Sequence, residues 1–82
     1  MPRTRDHETI RRWVEERGGK PARVRGTQDL LRISFGFSSK SLEEITWEEF
    51  FEAFERNNLM LVYELDPSSR FVRFVRRRSS AE

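Results

Sequence analysis

The chain contains no cysteine and a single histidine, His7. Without thiols there are no disulfides, no thiolate nucleophile and no cysteine-held zinc, and one imidazole cannot build a histidine metal site. Nothing in the residues calls for a cofactor. No apolar run approaches the roughly 20 residues that span a bilayer, and the opening MPRTRDHE lacks the apolar core of a secretory signal, so the expected location is the cytoplasm. Glycine is scarce as well. GGK at 18–20 is too short to cradle a phosphate, and it follows a helix where a phosphate loop precedes one. Eighty-two residues exclude barrels and dinucleotide folds and leave room for one domain with a modest core.

Charge is plentiful and unevenly placed. Residues 1–32 hold nine basic and five acidic side chains, residues 33–66 two and eight, and residues 67–82 five and one. The chain therefore runs basic, acidic, basic, with local charges of +4, −6 and +4 behind a net charge of +2. Such a distribution orients charged partners although the net charge is small.

Local signals place the elements. Asp6 precedes HETIRRWVEERGG, in which Ile10, Trp13 and Val14 recur at helical spacing and Gly18 or Gly19 supplies a left-handed stop. Glu8 with Arg12, and Arg12 with Glu16, are spaced to pair along this helix. PARVRGTQDLLRISFGF alternates apolar and polar residues on both sides of the turn residues GTQD, the pattern of a hairpin. After a loop at SSKS, within LEEITWEEFFEAFERNN, Thr46 and Glu49 form a capping box, with Ile45 and Phe50 as the hydrophobic staple, so the second helix begins at Thr46. Trp47, Phe50, Phe51 and Phe54 share its apolar face, and Asn57 or Asn58 ends it. LMLVYEL reads as a strand covered on both faces, and DPSS as a type I turn. RFVRFVRRR then reads as a final strand whose arginines beyond Val75 are free.

The expected fold is α+β in the order αββαββ, with one antiparallel sheet of about four strands packed by two helices. A circularly permuted ferredoxin-like arrangement is one topology with that order. The domain is expected over residues 6–76, between a flexible 1–5 and a flexible basic 77–82. The two halves repeat in layout at a period near 40, but few identities align when Asp6 is set on Thr46.

Catalysis has little to stand on. DHE at 6–8 sets His7 beside two carboxylates, but adjacent residues at a helix start point in different directions. Ser38, Ser39 and Ser41 have no activating base nearby in the sequence. The chain is therefore expected not to be an enzyme. If Arg23, Arg25, Arg32 and Arg73 stand on a sheet face, with Arg76, Arg77 and Arg78 trailing, that face can track a phosphate backbone. The alternative is a solvated sheet edge. Strands apolar on both sides, with only two helices to cover them, point instead to a protein partner or a second copy.

At DHETIRRWVEERGGKPARVRGT and again at LEEITWEEFFEAFERNNLMLVYE, the chain resembles a family of short bacterial proteins of unknown function, some of them filed as glucan branching enzyme. The resemblance covers most of residues 6–65 and rests on ERGG.PA with WEEFF and NNL. It brings no established active site. Branching chemistry needs paired carboxylates held across a sugar cleft on a large scaffold, which this chain is too short to build. The function expected from the sequence is therefore a non-catalytic protein-interaction module, self-associating in one form, with nucleic-acid binding through the arginines as the alternative.

Overall fold

Both helices begin where their local chemistry starts them. In a computed structural model, which describes residues 1–36 and 40–77, the element order is β1 (Arg3–Thr4), α1 (His7–Glu16), β2 (Lys20–Val24), β3 (Leu31–Ser34), β4 (Leu42–Glu44), α2 (Trp47–Arg56), β5 (Leu59–Tyr63) and β6 (Val72–Arg76). The Asp6 carboxylate accepts the Thr9 amide at 2.9 Å, and Thr46 and Glu49 close the capping box reciprocally. Gly18, at φ +73°, turns the chain out of α1, and Asn58, at φ 55°, does the same after α2.

The strands form two antiparallel three-stranded sheets, β1-β5-β6 and β3-β2-β4, in place of the single four-stranded sheet expected. Two short strands make the difference. Thr4 pairs with Leu61 and Arg3 with Val62, so residues expected as a loose amino terminus are part of a sheet. Leu42, Glu43 and Glu44 pair with Val24, Arg23 and Ala22. Each short strand thus completes the sheet of the other half, and β3 and β6 are left as edges that do not join.

The layout is a βαββ unit used twice. Ile10, Trp13 and Val14 are the buried positions of α1; Phe50, Ala53 and Phe54, each forty residues on, are those of α2. They meet Leu31, Leu61 and Tyr63 in one core, with Ile33, Phe35, Val72 and Phe74 packed against it. Fully burying each of the largest of these side chains contributes roughly 1.5–3 kcal/mol. Every strand residue in that set belongs to one face of its sheet. Its alternates, among them Met60, Val62 and Val75, lie on the face away from the helices. A thickness of 17 Å agrees with one helical layer on one sheet layer.

The salt links of α1 differ from those expected. Glu8 meets Arg11 at 3.8 Å rather than Arg12, and Arg17 turns inward over the Trp13 ring, 4.2 Å from its centroid.

Candidate functional site

Four of the seven arginines expected on a nucleic-acid face are occupied inside the protein or lie outside the described residues. Arg23 pairs with Glu43, its cross-strand neighbour, at 3.4 Å. Arg25 donates to the carbonyls of Lys40 and Leu42, bracing β4. Arg77, placed in the sequence reading within a free tail, is pinned: Nε donates to the Leu59 carbonyl at 2.6 Å, Nη2 to Glu55 at 2.9 Å, and the guanidinium lies over Phe54. These hydrogen-bond partners lie 15 to 22 residues away along the chain, beyond what a sequence pattern reveals. Arg78 lies outside the described residues.

Arg32, Arg73 and Arg76 remain. Arg76 pairs with Leu59 at the end of β6 and lines a cleft with Asp29, Leu30 and Asn57. Arg32 and Arg73 lie on the sheet face away from the helices, and here the register is informative. Arg3, Val62 and Arg73 form a row across β1, β5 and β6; Arg32, Ala22 and Glu44 form a row across β3, β2 and β4. Side chains directly opposite one another on paired strands share a face. This outer face therefore carries Arg3, Arg32, Arg73 and Lys20, with the carboxylate Glu44 on its β4 edge, and the apolar Met60, Val62 and Val75, with Phe71, 40% exposed, at its border. Arg3 and Lys20 were not among the expected contacts. Lys20 shares the face of the apolar Ala22 in the strand period and so gave no signal, and Arg3 sits in a stretch too short to show a pattern.

Between the sheets the edges of β3 and β6 border a groove lined by Arg32, Ile33, Val72, Arg73 and Phe74. Arg32 and Arg73 occupy equivalent places in the two repeated units, beside Ala22 and Val62 of the central strands. Neither has a carboxylate partner among the described residues.

The residues considered for catalysis are held apart. Asp6 is engaged by the Thr9 amide and hydroxyl, which hold its carboxyl below the usual aspartate range. Glu8 faces Arg11, while His7 stacks on Phe51 at 4.0 Å and reaches Glu55. That histidine–carboxylate contact joins residues 48 apart, beyond the reach of motif reading. No hydroxyl hydrogen-bonds His7 among the described residues. Ser38 and Ser39 lie outside them, and the Ser41 carbonyl accepts the Arg25 amide. Among the described residues no group of histidine and carboxylate side chains is placed to hold a metal ion, and no helix is long and apolar enough to cross a membrane.

No family model, curated protein or solved structure matches the chain.

Proposed function

We propose that the protein is a non-catalytic protein-interaction module and that its contact surface is the outer face of the two sheets. The observation that carries this reading is the one-sided cover of the β1-β5-β6 sheet: the helices pack on the face holding Leu61, Tyr63 and Phe74, while the half-buried Met60, Val62 and Val75 lie on the other. An apolar strip rimmed by cations that have no carboxylate partner among the described residues is the anatomy of a contact patch. The non-catalytic part of the reading is supported by His7, which is engaged by Phe51 and Glu55 and hydrogen-bonds no hydroxyl among the described residues. Kinship with the short bacterial proteins named above is proposed on the ERGG.PA, WEEFF and NNL residues alone.

Affinity capture from the native cell, run with the wild-type chain and with a Met60→Glu/Val75→Glu variant as baits, tests the proposal. These two residues are cross-strand neighbours on the outer face. A protein retained by the wild type and lost from the equally folded variant is expected. An identical set on both baits overturns the proposal. A second copy of the chain in the retained fraction would identify the partner as self.

A second reading, nucleic-acid binding, draws on Arg3, Lys20, Arg32 and Arg73 standing on one face. It is weakened by the internal use of Arg23, Arg25 and Arg77 and by there being, among the described residues, one ring, Phe71, at the border of that face. A mobility shift at low salt that fades steeply with added salt is its signature, and no shift removes it.

A further inference from the structure

We infer that the groove between β3 and β6 receives an extended protein segment that carries carboxylates beside apolar side chains. This rests on the protein-interaction reading and adds the chemistry of the partner. Among the described residues β3 hydrogen-bonds only β2, and β6 only β5. Apart from the Leu31 carbonyl, which Arg32 covers, the two edges that border the groove therefore keep backbone donors and acceptors without a strand partner, which is the template on which an extended chain adds as a strand. Ile33, Val72 and Phe74 supply apolar lining, and the two charged residues of the lining, Arg32 and Arg73, are both cations.

The state of those two guanidiniums narrows the partner further. Arg73 makes no hydrogen bond or ion pair among the described residues, and Arg32 donates only to the carbonyl of Leu31, its own chain neighbour, at 2.8 Å. A guanidinium fork matches a carboxylate in two parallel bonds, and two forks at equivalent places on facing edges match carboxylates on one extended segment. Nucleic acid supplies anions, but it cannot use the strand edges and it needs stacking rings; Phe74, half buried against the core, is the one ring in the lining. A second copy docked groove to groove would set guanidinium against guanidinium, which like charge opposes.

The test uses the full chain, isotopically labelled, with three probes: a capped peptide of alternating glutamate and valine, its lysine counterpart, and an oligothymidylate. The acidic peptide is expected to move the amide signals of residues 31–34 and 72–76, and to bind at least about tenfold more tightly than the lysine peptide at low salt. Arg73→Glu and Arg32→Glu are each expected to weaken it about tenfold without lowering the melting temperature, while Arg12→Glu on α1 leaves it unchanged. Equal binding of both peptides, or signals moving elsewhere, overturns the inference. An oligothymidylate that moves these signals while the peptides are silent sinks both the inference and the protein-partner reading. Silence from all three probes sinks the groove assignment alone, and the capture experiment still decides the broader reading.

Discussion

His7 Nε2 lies 2.7 Å from Glu55 Oε2, and the contact is one half of a reciprocal pair. Trp47, forty residues after His7, donates its indole N–H to Glu15, forty residues before Glu55, at 3.1 Å. The first residue of each helix thus holds the last turn of the other, and Phe51 stacks with both rings, at 4.0 Å from His7 and 5.3 Å from Trp47. Because β1 and β4 also cross between the halves, neither βαββ unit contains all three strands of a sheet.

Separated halves are therefore expected not to fold. A fragment of residues 1–38 lacks β4 and the α2 rings, and a fragment of 39–82 lacks β1 and Trp13. Each should be unfolded by circular dichroism, and mixing the two should restore helical signal with a stoichiometry of one to one. A fragment with a cooperative melting transition of its own would contradict the intertwined arrangement.

The Glu55 carboxyl is held below the ordinary glutamate range, first by the hydrogen bond from Arg77 and next by that from His7. A carboxyl whose pKa is lower folded than unfolded stabilises the fold in its ionised form. That stabilisation is complete above the usual glutamate value of 4.5 and is lost as the pH falls through the folded value. Asp6, Asp29, Glu49 and Asp66 are lowered likewise, by hydrogen bonds from Thr9, Arg56, Thr46 and Ser68. The melting temperature is expected to hold level down to about pH 5 and to decline below it, with a shallower decline in Glu55→Gln. A melting temperature that rises on acidification through this range would refute the assignment.

The features legible in the sequence were those whose causes are local. Thr46 and Glu49 sit three apart and satisfy one another's backbone, so α2 could be started at the right residue. Asp66 accepts the Ser68 amide and closes the turn before β6 with its carbonyl, as DPSS implied. What escaped was set by distant partners. Arg3–Thr4 and Leu42–Glu44 have no apolar alternation of their own and are strands only because β5 and β2 offer edges. The repeat is invisible to identity because it conserves cap geometry and buried positions, with Ile10, Trp13 and Val14 answered by Phe50, Ala53 and Phe54. On the candidate face, Arg32 and Arg73 were readable from strand alternation, whereas the internal fate of Arg23, Arg25 and Arg77 depended on which carbonyls and carboxylates the fold brought near.

Two adjacent glycines make a paired test. A methyl group on Gly19 would come within 2.9 Å of Val14 and Phe35 and 3.0 Å of Ile33, whereas one on Gly18 meets nothing but sits at φ +73°. Gly19→Ala should cost about 1–3 kcal/mol through overpacking, and Gly18→Ala about 1 kcal/mol through backbone strain alone. Urea denaturation separates them: only the first should be relieved by trimming Phe35 to leucine, which removes the ring atom in the way, in the same chain.

Arg17 is the side chain whose loss should be felt most widely. It is 5% exposed and donates to five carbonyls, those of Trp13, Glu64, Leu65, Asp66 and Ser69, at 2.6–3.4 Å. One of these bonds closes α1 as the Asn57 amide closes α2, each reaching the carbonyl four residues back. The others tie down the β5–β6 connection, which carries the approach to the groove-lining Val72 and Arg73. Arg17→Met should therefore destabilise the fold by about 2–4 kcal/mol, because several carbonyls lose their donor at once. Arg17→Lys should recover less than half of that, since an ammonium cannot reach both groups of carbonyls. Hydrogen exchange in both variants should quicken first at Ser68, Ser69 and Phe71. If it quickens uniformly across the chain instead, the guanidinium serves the core as a whole and not this connection.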